Sequence, residues 1–263
     1  MIETIGYGVI RLPLIPVRSE PADAAEMITQ LLFGEHYRVL EISDNKKWVR
    51  IQNAADNYLG WIDKKQHYDI SREYFDQISN TEYRICTDLF SPVFFQKKRL
   101  NITFGAVLPL LNNPLFRDEE SLAFNGESKS LFQKLDAEAL VEFAKKLQFS
   151  PYLWGGKSPL GIDCSGLTQL VYKVAGFDLP RDSSQQILEG KEVSFDEAKA
   201  GDLAFFTNAE GKMNHVGMVV APGEIIHASG YVRIDRLDTK GIFNDEQKVY
   251  THTYFKLKRY LKE

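Results

Sequence analysis

The first 134 residues offer no stretch that can carry a long helix. Pro13, Pro16, Pro21, Pro92, Pro109 and Pro114 interrupt them, and a proline removes a backbone donor and clashes with the preceding helical turn. Between the prolines run short apolar segments: Val9-Ile10-Arg11-Leu12 and Val17, then residues 29–33, 37–42, 48–51 and 59–62. A polar turn, Ser43-Asp44-Asn45-Lys46-Lys47, separates 37–42 from 48–51. Short strands at this spacing predict a small β-barrel and not a βαβ unit. Residues 74–122 repeat the style, with strands expected at 83–86, 93–95, 103–110 and 121–124. Two consecutive barrels, 1–66 and 67–134, are the expectation.

The character changes at Asp136. Leu140, Phe143, Ala144 and Leu147 fall on one face at helical spacing, and Asp136 is placed to cap that helix by accepting its free N–H groups. A second helix is expected over 164–174, closed by Gly176. Strand-like runs follow at 201–206, 216–220, 224–228, 232–234 and 254–260. Helices first and an antiparallel sheet afterwards is an α+β order, and 135–263 is expected to form a third domain.

Composition excludes several classes. The 263 residues are 44% hydrophobic and 26% charged, with 32 Lys and Arg against 36 Asp and Glu. Nucleic-acid binders carry a basic surplus on at least one face, so no nucleic-acid partner is expected. No uncharged apolar run approaches the roughly 18 residues of a membrane span, and the start of the chain lacks the basic and apolar regions of a secretory signal. A cytoplasmic protein with no membrane partner is the expectation. The two cysteines, Cys86 and Cys164, form no Cys-x-x-Cys pair and do not make a disulfide scaffold. Cys86, in an alternating stretch, reads as a core residue.

Cys164 stands elsewhere. The glycine- and proline-rich segment 151–163 ends where the second helix begins, with Cys164 in its first turn. Free N–H groups and the helix dipole there favour a thiolate. Gly155 and Gly156 allow a sharp turn and a close backbone approach. A nucleophilic cysteine needs a base. Of the five histidines, His215 and His227 sit in small-residue β contexts twelve residues apart. On neighbouring strands His215 would take the thiol proton and His227 would orient its ring. His36, His67 and His252 lie in loop-like or charged contexts. From the residues alone an inert buried thiol, structural histidines and an open Cys-His-His zinc site all remain in play.

The motifs narrow this. Tyr152-Leu153-Trp154-Gly155-Gly156 with Gly161-Ile162-Asp163-Cys164-Ser165-Gly166-Leu167 resembles the signature of the NlpC/P60 cysteine peptidases. Gly201-Asp202-Leu203, His215-Val216-Gly217-Met218 and Ile226-His227-Ala228-Ser229 resemble that family's later motifs, in order. The resemblance covers about 136–261. It implies a papain-like α+β catalytic domain, with Cys164 as nucleophile, His215 as base, His227 as orienting residue, and no cofactor or metal. Residues 17–21, 27–35 and 58–62 resemble a bacterial SH3-like domain. Two such modules ahead of the catalytic domain resembles the layout of the γ-D-glutamyl-L-diamino acid endopeptidases, and Leu179-Pro180-Arg181-Asp182-Ser183-Ser184-Gln185-Gln186 also resembles that group.

That resemblance implies an enzyme acting on murein peptides of the form L-Ala-γ-D-Glu-diamino acid, and a monomer is the expectation. Tyr152, Asp163, Ser165, Asp182 and Ser183 match positions lining a closed pocket for the free amino end, and Glu26 and Tyr58 are the choices for its closing residues. A buried ammonium needs carboxylate partners, which Asp163, Asp182 and Glu26 would supply. Asp182 also suits a helix cap, and Trp61 suits the barrel core. The rival expectations are a wall-targeting SH3-like protein and an NlpC/P60-type amidase or acyltransferase.

Overall fold

The computed structural model describes residues 3–95, 98–108, 122–208 and 210–261. The chain divides into two compact units, Met1–Gln133 and Lys134–Glu263.

The first unit opens with seven antiparallel strands, β1 (Gly6–Val9), β2 (Leu14–Arg18), β3 (Met27–Leu32), β4 (His36–Ile42), β5 (Trp48–Asn53), β6 (Leu59–Asp63) and β7 (Tyr68–Ile70). Their order in the sheet is β3-β2-β6-β5-β4-β1-β7. Alternate residues of these strands point inward: Ile15 and Val17, Tyr37 and Val39, Val49 and Ile51, with Ile62, form one buried apolar cluster. Trp61, expected in that core, is only half-buried because Ile62 takes the inward position.

A nine-residue helix, α1 (Arg72–Asn80), comes next and had no counterpart in the sequence reading. Ser71 caps it, accepting from the Tyr74 N–H, and Tyr74, Phe75 and Ile78 bury its apolar side. Two three-stranded sheets follow. The first, in order β10-β9-β12, joins β9 (Phe90–Phe95), β10 (Lys98–Thr103) and β12 (Leu122–Phe124). The second, in order β11-β8-β13, joins β8 (Arg84–Cys86), β11 (Val107–Leu108) and β13 (Ser128–Ser130). The expected strand 103–110 is split, because the chain turns at Gly105 with φ +84°; residues 109, 110 and 121 of the expected strands lie outside the described residues. Cys86 is fully buried among Phe33, Val93 and Ile102.

The second unit starts with α2 (Ala137–Lys146), which Asp136 caps by accepting from the Ala139 N–H at 3.0 Å. Leu140, Val141, Ala144 and Leu147 are buried. A short hairpin, β14 (Lys157–Ser158) and β15 (Gly161–Ile162), leads into α3 (Cys164–Val174). Gly176 ends α3 in a left-handed conformation, φ +90°, donating to the Lys173 carbonyl while Phe177 donates to Tyr172. That pair of bonds is a Schellman closure. After a short α4 (Ser183–Gln186) come β16 (Lys191–Val193), β17 (Leu203–Thr207), β18 (Met213–Ala221), β19 (Glu224–Ser229), β20 (Tyr231–Asp238), β21 (Gly241–Asn244) and β22 (Val249–Arg259).

The sheet order is β16-β22-β17-β18-β19-β20-β21, and β21 also pairs with β22. The eleven-residue β22 meets β17 through residues 253–258 and β21 through 249–253. Six strands thereby close into a barrel. Its interior holds Ala204, Phe206, Val219, Ile225, Leu237, Ile242 and Leu257. The strands at β16 and β21, and the true length of β22, exceed the sequence expectation.

Candidate active site

Cys164 begins α3, which packs on β18 and β19. Asp163 caps this helix, and the backbone N–H groups of Val216 and Ser165 reach the Cys164 sulfur. Cys164 therefore meets the sheet beside His215. Two glycines make this approach possible. A Cβ on Gly166 would lie 2.4 Å from the Gly156 carbonyl oxygen, and one on Gly156 would lie 2.4 Å from that of Gly161, so neither position has room for a side chain.

Register builds the rest. His215 and Gly217 share one face of β18, and Gly217 stands directly across from His227 on β19. His227 in turn faces Arg233 on β20, with Asp235 one pleat further along the same face. The result is a hydrogen-bonded chain. His215 Nε2 lies 2.9 Å from His227 Nδ1, and His227 Nε2 lies 3.0 Å from an Asp235 oxygen. Arg233 holds Asp235 from the other side with two bonds of 2.7 and 2.9 Å. His215, His227 and Asp235 are all buried.

The chain assigns its own protons. Burial alone would raise the Asp235 carboxyl, but bonds from His227 and Arg233 outweigh this and hold it below the usual carboxylate range. An ionised carboxylate only accepts. His227 Nε2 must then carry the hydrogen, and in the neutral ring Nδ1 accepts. His215 Nε2 consequently donates, which leaves the lone pair of a neutral His215 on Nδ1. Burial, then the neighbouring His227 and His252, keep His215 well below the ordinary histidine value. It is a neutral ring with one acceptor nitrogen.

The thiol departs from expectation. Burial pushes Cys164 up to about 11, and the Asp163 charge adds to this; bonds from Val216 and Ser165 and the Arg181 charge oppose it but do not win. The helix terminus does not yield a resting thiolate, because the sulfur is buried and shares its helix start with a carboxylate. Neutral thiol and neutral imidazole are the resting pair.

The pocket candidates separate into two groups. Asp163 is buried and already engaged: Gly155 and Gly166 donate backbone N–H groups at 2.8 and 2.7 Å, Ser165 donates its hydroxyl at 3.3 Å, and Arg181 adds two bonds of 3.0 and 2.6 Å. Five donors fill a carboxylate that offers about four lone-pair sites, and Arg181, itself 1% exposed, neutralises its charge. Ser165 belongs to the same cluster, accepting from Arg181 at 2.9 Å. Tyr152 is half-buried, and its phenol is pushed up to about 12 by burial and by its neighbours Cys164 and Asp163. Asp182 sits at the start of α4 but makes no side-chain cap there, and it and Ser183 are part-exposed. In the first unit, exposed Glu26 precedes β3 with its carbonyl accepting from Ser19, and half-buried Tyr58 precedes β6 with its carbonyl accepting from Asn53.

Three residues escaped the sequence reading. Arg181 carries a sequence signal only as part of its motif, and Asp235 lies just past an expected strand. His252, read as belonging to a loop-like or charged context, lies in β22 with its ring stacked on His215 at 4.0 Å and 23°. His36 and His67 bond instead to Ser79 and Tyr37 in the first unit. The ring nitrogens of His215, His227 and His252 lie within 4.8 Å of one another, a spacing that suits a metal. Both nitrogens of His227 are already engaged, however, Nδ1 with His215 and Nε2 with Asp235.

A buried cysteine at a helix start, packed on a closed barrel that carries a His–His–Asp chain, is the arrangement of a thiol hydrolase. Residues 149–253 match the NlpC/P60 family, and residues 17–66 match the bacterial dipeptidyl-peptidase SH3 domain. The chain is 31% identical over 219 residues to a gamma-D-glutamyl-L-lysine dipeptidyl-peptidase of Bacillus subtilis, covering 76% of this chain and 71% of that one. A protein of the same name from Bacillus cereus is 29% identical over 269 residues, covering 91% and 77%. A crystal structure of an NlpC/P60 family protein from Bacillus cereus superposes with a TM-score of 0.82 at 23% identity, over 97% of this chain and all of that one. The chain belongs to the NlpC/P60 family, with a strand-rich SH3-like region ahead of an NlpC/P60 fold.

Proposed function

We propose that the protein is a cysteine peptidase that cleaves the bond between γ-D-Glu and the following diamino acid in murein peptides with a free N-terminal L-Ala. The observation that carries this reading is the hydrogen-bonded chain His215–His227–Asp235, which starts next to Val216, whose backbone N–H reaches the Cys164 sulfur. His215 Nδ1 takes the Cys164 proton as the sulfur attacks the γ-carbonyl carbon. The imidazolium so formed is stabilised through His227 by the Asp235 charge. It returns the proton to the amine of the diamino acid as the C–N bond breaks. Water, deprotonated by the same nitrogen, then frees the dipeptide from sulfur. Moving the proton only as the S–C bond forms suits a resting pair that is neutral on both sides.

Substrate choice is supported by the names of the two Bacillus relatives and by the part-exposed Asp182 beside Ser183. In this reading Asp182 meets the substrate ammonium. Asp163, saturated by Arg181, anchors Ser165 and the helix start, and Tyr152 lines the pocket. The reading takes 1–66 and 67–134 as two SH3-like modules and 135–263 as the catalytic domain, acting as a monomer without a metal. It also places the enzyme in the cytoplasm, where peptides already cut from the sugar present a free L-Ala.

The test is mass spectrometry of products after incubation with L-Ala-γ-D-Glu-L-Lys and with its meso-diaminopimelate counterpart. The expected products are L-Ala-γ-D-Glu and the free diamino acid. Intact peptides, or cleavage between L-Ala and D-Glu, would refute the reading.

A further inference from the structure

His252 has no place in the sequence motifs, yet it covers the proposed base. It stands opposite Ile242 in register, and Ile242 belongs to the barrel interior. Its strand reaches His215 only because β17 lies between β22 and β18 in the sheet. The ring of His252 stacks on that of His215, 4.0 Å between centroids and 23° between planes. Phe206 flanks both, at 6.0 Å from His215 and 6.1 Å from His252. The Nδ1 of His252 is occupied by the Thr251 hydroxyl at 2.9 Å.

The bond from His215 Nε2 to His227 fixes one atom of the base ring. It does not fix the plane, and a swing about that point re-aims Nδ1, the remaining acceptor. A flat neighbour pressed on the ring face removes this freedom. We infer that His252 is a positioning residue: by stacking on the His215 imidazole it fixes the plane in which Nδ1 is aimed at Cys164. The inference rests on the reading of His215 as base. Stacking asks only for a flat, uncharged ring, and burial with the neighbouring His227 keeps His252 uncharged by lowering it to about 4. An aromatic hydrocarbon should therefore serve in its place, whereas a small side chain should not. Misplacing a catalytic group by about 1 Å costs about 10²-fold in rate, which sets the scale.

The experiment compares His252→Ala and His252→Phe with the unaltered enzyme in kcat and KM on L-Ala-γ-D-Glu-diamino acid, and in the rate of Cys164 carbamidomethylation by iodoacetamide. His252→Ala should lose about 10²-fold in kcat with little change in KM, and His252→Phe should recover most of that loss. Alkylation of Cys164 should follow the same order. It needs no substrate, so an unaltered enzyme that ignores the peptide while its alkylation falls in His252→Ala and recovers in His252→Phe would refute the substrate reading and support this one. Full kcat in His252→Ala would overturn the inference. So would a His252→Phe variant as slow as His252→Ala with an unchanged melting temperature, since the ring nitrogens would then matter and not the plane. A Cys164 that reacts no faster than Cys86 in the unaltered protein would remove the base itself, and the inference with it.

Discussion

Two barrel-like sheets in this chain are filled in opposite ways. The sheet of the first unit closes on hydrocarbon, with Ile15, Val17, Leu31, Val49, Ile51 and Ile62 at its centre. The barrel of the second unit has an apolar body, from Ala204 to Leu257, but it also buries His215, His227 and Asp235. A polar group in such a place costs free energy unless it is bonded, and here each one bonds to the next. The difference teaches where to look for chemistry: a barrel filled mainly by hydrocarbon, with the Tyr37 hydroxyl bonded to His67, holds a shape, and a barrel that buries a proton chain spends stability to hold a reaction.

The sharpest way to break this contrast is to cut the proton chain. Cys164→Ala should abolish hydrolysis, and His215→Ala should cost about 10²–10⁴-fold in kcat, with melting temperatures close to that of the unaltered enzyme. His227→Asn should be milder than His215→Ala, since an amide oxygen can still accept from His215 Nε2. Equal losses for the two would give His227 a part beyond orientation.

The substrate end gives the next largest effect on rate. If the substrate ammonium meets Asp182, an N-acetylated peptide loses that ion pair, worth up to about 1 kcal/mol at a part-exposed carboxylate. The ratio of kcat/KM for free over acetylated peptide should then reach about 5-fold and should shrink in Asp182→Asn. A ratio near one would mean that the enzyme does not read the amino end.

In the first barrel the balance reverses. Ile51, 1% exposed, should on conversion to Ala cost about 2–5 kcal/mol of stability through the cavity it leaves. Calorimetry would show the loss, and Cys164 alkylation in the still-folded protein should keep its rate. A slowed Cys164 would tie the hydrocarbon barrel to the reaction.

How much of this was legible in the sequence depended on periodicity. Ile15, Val49 and Ile51 alternate with more exposed neighbours, so the first sheet could be read directly. The capped α2 and α3 could be read from Asp136, Cys164 and Gly176 for the same local reasons. Cys164, His215 and His227 stood out because their motifs are contiguous. Asp235 did not, because Arg233 and Asp235 look like the solvent side of a strand and face inward only to serve His227. His252 was hidden by topology: β22 neighbours β17 through a connection that no local pattern records. The α1 helix was missed although Ser71 and the Tyr74, Phe75, Ile78 spacing carried its signal. Asp163 was identified as important, but not its saturation by Arg181, which a long-range ion pair alone reveals.

Acid should weaken both barrels, since burial also holds His67 beside Tyr37 below the ordinary histidine value, and the polar one more, because it buries two such rings, though by less than any substitution above. His252 is lowered from the ordinary 6.5 to about 4, and His215 lies well below 6.5. Between those values the unfolded chain binds protons that the native one refuses. The stability they contribute is complete above about 6.5 and is lost as pH falls towards 4. The melting temperature should drop across that window, and less steeply in His252→Phe.

The most direct measurement of the central claim compares the two cysteines. Both are buried, at 0% for Cys86 and 7% for Cys164, and only Cys164 has an imidazole chain behind it. Native protein treated with iodoacetamide and mapped by peptide mass spectrometry should show Cys164 alkylated and Cys86 spared, with the Cys164 rate collapsing in His215→Ala. Equal labelling of both thiols, or a Cys164 rate unmoved by His215→Ala, would contradict the account.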